Sequence, residues 1–176
     1  MKKILMLICL SLFFNCNENK DKSEESLPLE VSKEPIKLIV SVEYKSDISD
    51  FFQCTFSNIE LGDNTQTGNY TITQKINSSD ELKTTNFKMF GDYISSKIQL
   101  KLGKKPKKMV INNITLSYDD QKVIVDGLEL DRYFTMNNYV LFNKETKTIE
   151  TKTINNKHIP VLNFRQGFIR KLFNLE

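Results

Sequence analysis

A single histidine, His158, and three cysteines, Cys9, Cys16 and Cys54, supply all the imidazole and thiol chemistry in the 176 residues. One imidazole excludes a multi-histidine zinc or iron centre, and no Cys-x-x-Cys pair stands in its place. Cys54 and His158 have the types of a nucleophile and its base, but the flanking Phe51-Phe52 and Phe56 read as the surroundings of a small buried thiol. The six glycines are dispersed, and Gly103-Lys104-Lys105 lacks both the leading glycine and the trailing hydroxyl residue of a phosphate loop. Carboxylates are densest at Asp119-Asp120, Asp126, Glu129 and Asp131. Oxygen ligands at that density suit calcium, although Asp is equally what turns select. Sugar recognition calls for flat aromatic faces with amides beside them, and the chain offers Tyr93, Tyr133 and Tyr139, the last two flanking Asn137-Asn138. Tryptophan is absent. Each of these tyrosines reads equally well as a residue at the edge of a core. No cofactor is expected from this inventory.

Whatever chemistry these residues do, strands must position them. Ile94, Ile98, Leu100 and Leu102 share one parity, with Lys97, Gln99 and Lys101 between them, so a strand there buries one face and wets the other. Beyond Gly103-Lys104-Lys105-Pro106 the alternation resumes at Met109 and Ile111, then continues at Ile114 and Leu116 with shifted parity. The shift predicts a β-bulge or a strand break at Asn112-Asn113. Before this block, Leu82, Phe87 and Met89 mark a weaker strand. Earlier still, Ile36, Leu38, Val40, Val42 and Tyr44 predict a first strand, and a turn over 47–50 leads to a second at Phe52, Cys54 and Phe56. A long exposed loop over 60–69 precedes a third at Tyr70, Ile72, Gln74 and Ile76. Asp119 to Lys122 reads as a hairpin loop into Val123-Ile124-Val125, and Leu128 to Phe134 as one helical turn. Tyr139–Phe142 and Thr148–Ile154 read as a further hairpin. Short strands at regular spacing, without a long helical pattern, predict an all-β antiparallel β-sandwich. The C-terminal stretch differs, because Phe164, Phe168, Leu172 and Leu175 fall near one helical face with Arg165, Arg170 and Lys171 opposite. It should form a short helix packed over an open edge of the sandwich, or else present that face to a membrane or a partner.

The N-terminus carries an address. Lys2-Lys3 precede an eleven-residue apolar run, Ile4 to Phe14, interrupted only by Ser11 and ending at Asn15-Cys16. Spanning a bilayer takes about 20 residues, so the run has the length of a signal-peptide core rather than of a membrane helix. Residues 17–35 are polar and charged, and predict a disordered tether. Without Lys2 and Lys3 the formal net charge of +3 falls to +1, too small an excess to suggest a nucleic-acid partner. Cys54 is then the one thiol left in the folded part, with no disulfide partner.

An apolar run ending on a cysteine, followed by a solvated leash, resembles the signal of bacterial lipoproteins, and the relaxed residues before Cys16 resemble the Bacteroidetes type. The resemblance implies cleavage after Asn15, acylation of Cys16 with palmitate-like chains, and anchoring to a membrane of the cell envelope, the outer membrane. It departs from the usual pattern at Asn15, where a small residue is common. The expected organisation is a signal peptide over 1–15, a tether over 16–35 and a sandwich domain over 36–176. The order of strands from Ile98 to Tyr139 is similar to carbohydrate-binding jelly rolls, which implies a jelly-roll-like fold and a glycan or another envelope component as ligand, bound near Tyr93, Tyr133, Asn137, Asn138 and Tyr139. Binding rather than catalysis is the expectation. The alternatives are a structural subunit of an envelope complex docking through 164–173, or a hydrolase accessory using the acidic turns.

Overall fold

A computed structural model describes residues 36–60, 68–91 and 94–173. The expected signal peptide and tether, Cys16, Tyr93, Leu175 and most of the expected loop over 60–69 lie outside these residues. The strands are β1 (Ile36–Ser46), β2 (Asp50–Glu60), β3 (Asn69–Ile76), β4 (Ser79–Phe90), β5 (Ile94–Lys101), β6 (Lys107–Tyr118), β7 (Gln121–Asp126), β8 (Phe134–Met136), β9 (Val140–Asn143), β10 (Thr148–Thr151) and β11 (Val161–Phe164). A 3-10 turn (Gly127–Glu129) runs into α1 (Leu130–Tyr133), and α2 (Gln166–Phe173) follows the last strand.

All pairings are antiparallel and form two sheets. The larger has the order β4-β1-β6-β10-β9 with β7 also on β6, and the smaller has the order β3-β2-β5-β11-β8. These two orders are the same when read as arms. β3–β4, β1–β2, β5–β6, β10–β11 and β8–β9 are each a stretch of chain that passes from one sheet to the other, as the arms of a jelly roll do. The links between sheets, 77–78, 47–49, 102–106, 152–160 and 137–139, therefore line up along one bend. Hydrogen bonds join neighbouring links: Ser78 N donates to Ser49 Oγ at 2.9 Å, Asp47 N to Lys108 O at 3.2 Å, Leu102 N to Pro160 O at 3.0 Å and Lys152 N to Tyr139 O at 3.0 Å.

Period-2 patterning puts the expected residues inside. Leu38, Val40, Val42 and Tyr44 from β1 meet Phe52, Cys54 and Phe56 from β2, and Ile98, Leu100, Met109, Ile111, Ile114 and Leu116 fill the centre. The shift at Asn112-Asn113 is a bulge inside a continuous β6: Glu43 faces Asn113 while Tyr44 faces Ile111, which leaves Asn112 as the extra residue. Two readings of the sequence need correction. Leu82 points to the opposite side of β4 from Phe87 and Met89 and is exposed. Asp50, read as a turn residue, begins β2 and is buried.

α2 does not cover a sheet edge. It touches β5 of the smaller sheet and β6 and β7 of the larger, closing the end of the sandwich away from the bend. Phe168, Ile169 and Leu172 are buried. The Phe168 ring lies 5.2 Å from that of Tyr133, and Phe173 lies 4.7 Å from Tyr118, both edge to face. The apolar face of the helix is thus enclosed by its own domain. Among the described residues no helix is long and apolar enough to cross a membrane.

Candidate functional site

The residues singled out for sugar binding are divided by the fold. Tyr133 ends α1 beside α2, half-buried, with the Arg132 guanidinium 5.4 Å from its ring centre. Asn137, Asn138 and Tyr139 lie at the bend, beyond the other end of β8. The Asn137 amide is engaged by its own loop: Nδ2 donates to Ile159 O at 2.6 Å, while Oδ1 accepts from Tyr139 N at 3.3 Å and Val161 N at 3.2 Å. Asn138 is exposed and Tyr139 half-buried.

Three carboxylates of the acidic turns are likewise engaged one by one. Asp126 caps Leu128 N at 2.8 Å and pairs with Lys147 at 2.8 Å, Glu129 pairs with Arg132 at 3.2 Å, and Asp131 lies 3.6 Å from Lys144. Among the described residues no three metal-ligating side chains converge. Cys54 is buried in the core, and burial pushes its thiol well above the usual range, the opposite of nucleophile activation. His158 Nδ1 sits 3.0 Å from Lys152 O, so Nδ1 carries the proton, and Nε2 is buried without a partner among the described residues.

A polar pair missed by the sequence reading lies inside the bend. Asp50 and Lys107 open β2 and β6, and their side chains are 2% and 0% exposed. Lys107 Nζ donates to Asp50 Oδ2, which also accepts from Lys104 N at 2.8 Å and Lys105 N at 3.0 Å. Burial alone would raise the Asp50 carboxyl, but the Lys107 ammonium and the N–H groups of Lys105, Phe51 and Lys104 outweigh it and hold the group below its usual value. Gly103 makes the close wrap possible. It has φ +102°, and a Cβ there would run into Asp50 Oδ2 and Lys107 Nζ. A signal for this pair was present: Asp50 shares the inward parity of Phe52, Cys54 and Phe56, and Lys107 that of Met109 and Ile111. Sealed from solvent and mutually satisfied, the pair fixes the bend rather than meeting a ligand.

The outer face of the larger sheet is different. The register sets side chains in three rows across β4, β1, β6 and β7: Lys88–Ile39–Ser117–Lys122, Asn86–Ser41–Thr115–Ile124, and Thr84–Glu43–Asn113–Asp126. Small residues in the middle and long ones at the rim leave a hollow of about 270 Å³, floored by Ile39, Ser41, Thr115 and Ser117. Glu43 is held there by the bulge, its Oε2 accepting from Asn112 Nδ2 and, at 2.6 Å, from Asn113 Nδ2. The side chains of Ser41, Thr84, Asn86 and Ser117 have no hydrogen-bond partner among the described residues. The smaller sheet offers an internal control. On its outer face Gln53 bonds Thr73 at 3.1 Å, Thr55 bonds Thr71 at 3.0 Å and Gln99 bonds Asn163 at 2.6 Å, so these amides and hydroxyls satisfy one another.

A larger hollow, about 580 Å³, lies over β6, β9 and β10, with Val110, Leu141 and Phe142 among its walls. Two of its polar side chains are tied locally: Asn143 Oδ1 accepts from Thr146 N at 3.2 Å and Thr148 Oγ1 donates to Thr146 O at 3.3 Å. Free donors and acceptors, rather than volume, single out the face over β4, β1, β6 and β7. Compared with known proteins, the chain matches no family model, no curated protein and no solved structure.

Proposed function

We propose that this is a lipid-anchored protein of the bacterial cell envelope whose sandwich domain binds a glycan on the outer face of its larger sheet. The observation that carries the binding half is the hollow floored by Ser41, Thr115 and Ser117, with Asn86 and Glu43 at its side. A saccharide presents many hydroxyls, each donor and acceptor at once, and the free hydroxyls of Ser41 and Ser117, the Asn86 amide and the Glu43 carboxylate are the partners they need. Ile39 supplies an apolar patch for the C–H face of a ring. The reading is of binding and not of catalysis, in keeping with a buried thiol and with the carboxylates of Glu43, Asp50, Asp126, Glu129 and Asp131 each engaged by a cation or by amides.

Filling the hollow tests the site. Ser41→Ile adds a β-branched side chain that a strand accepts readily, and should weaken oligosaccharide binding measured by calorimetry at least about tenfold, roughly 1.4 kcal/mol, with the thermal midpoint little changed. Unaltered affinity in a folded variant would place binding elsewhere.

The anchor half rests on the sequence from Lys2 to Cys16. Each methylene buried in lipid contributes about 0.8 kcal/mol, and one chain holds weakly while two or more hold firmly. Cys16→Ser should therefore move the protein out of the membrane fraction, unprocessed or secreted, and abolish labelling by radioactive palmitate. Unchanged membrane retention with continued labelling refutes the anchor.

A further inference from the structure

The hollow has an electrical asymmetry that the rows of the register make explicit. Its first row is Lys88–Ile39–Ser117–Lys122, so a lysine stands on each side of a neutral pair. Neither lysine forms an ion pair or a side-chain hydrogen bond among the described residues. At the opposite end, in the third row, the carboxylates are engaged: Asp126 by Lys147 at 2.8 Å, and Glu43 by the amides of Asn112 and Asn113. The first and third rows are four residues apart along β1, about 13 Å at the rise of a strand. The lysines of the first row thus stand more than a Debye length at physiological ionic strength, about 8 Å, from Glu43 and Asp126, while Asp119 and Asp120 of the β6–β7 turn lie beyond that row and outside the lining of the hollow. Ordering two exposed lysine side chains around an anion costs about as much freedom as the exposed ion pairs return, so the anion is held there only as part of something bound through other contacts as well.

We propose that the hollow selects acidic glycans, with a uronate-type carboxylate seated between Lys88 and Lys122 above Ile39 and Ser117, and the hydroxyls of the adjoining sugar directed along the strands to Ser41, Asn86 and Glu43. This deepens the glycan reading and rests on it. The orientation follows from charge: a carboxylate next to Glu43 would meet repulsion, while a sugar hydroxyl there donates to the carboxylate that the two amides leave with spare acceptor capacity. The lysines choose acidic over neutral saccharides, and the hydroxyl floor holds the ring in either case.

The test uses the detergent-solubilised full chain on an array of neutral and uronate-bearing oligosaccharides, followed by titration of the best acidic ligand and of its methyl-esterified form, which keeps the sugar and removes the charge. Acidic ligands should dominate the array, and esterification should weaken binding about tenfold or more. Lys88→Gln and Lys122→Gln should each abolish most of that preference, weakening the acidic ligand far more than the esterified one, and Lys97→Gln on the other sheet should leave both affinities unchanged. Raising salt should weaken the acidic ligand alone. Binding that ignores charge, or a preference that survives both substitutions, overturns this inference and leaves glycan binding at the hollow standing. No binding of any saccharide overturns both. Because both lysines are at the surface, unchanged thermal midpoints distinguish lost recognition from lost folding.

Discussion

Replacing Lys107 with Met should destabilise the domain by about 3–5 kcal/mol, because it leaves the Asp50 carboxylate sealed in the bend with its charge uncompensated. Asp50 Oδ2 keeps the N–H groups of Lys104 and Lys105 but loses the ammonium, the only full opposite charge in contact with it among the described residues. Removing both charges together, as Asp50→Asn with Lys107→Met, should cost less than the single change, since no buried ion remains, and the difference measures their coupling. Acid provides a second readout. The folded Asp50 carboxyl is held below its usual value, so the stability it contributes is complete above the unfolded value of about 3.9 and is lost as the pH falls through the folded one. Urea midpoints of the wild type should fall across that acid window, and the Lys107→Met profile should fall less. If Lys107→Met proves as mild as Lys105→Met at the exposed neighbouring position, the pair does not hold the bend.

Leu100→Ala is expected to cost roughly 2–5 kcal/mol, a large share of a total stability of about 5–15 kcal/mol. Leu100 is fully buried and lies between Cys54 of β2 and Leu162 of β11, so the deleted atoms leave a cavity lined by two neighbouring strands. Lys101, the next residue, points to the outer face beside Gln53 and should tolerate Ala within about 0.5 kcal/mol. Side-by-side urea midpoints check the contrast. A more damaging Lys101→Ala would mean that β5 faces the other way, since a slip of one residue exchanges the two sets.

Much of this architecture is legible in the sequence. Inward positions on β1, β2, β5 and β6 follow from period-2 alternation alone, and even the bulge at Asn112 announced itself as a change of parity between Ile111 and Ile114. Leu82 misled because a lone apolar residue on a wet face carries the same letter as one in a core. Strands β8 and β11 were missed, being three and four residues long, too short for alternation to declare itself. α2 was foreseen as amphipathic, but its place at the end of the sandwich was not, since helical spacing names a buried face without naming what buries it.

What the sequence determined by itself is therefore local: which residues alternate, which turns break them, and which N-terminal pattern looks like an anchor. Each is a relation between residues a few positions apart, set by backbone geometry that repeats every two or 3.6 residues. The tertiary structure decided everything that depends on register between distant segments. Asp50 meets Lys107, and Lys88, Ser41, Thr115 and Lys122 come to line one hollow, only because β1 pairs with both β4 and β6 and β7 folds back on β6. Those pairings are chosen by the fit of whole faces in a shared core, a property no single stretch of the chain contains.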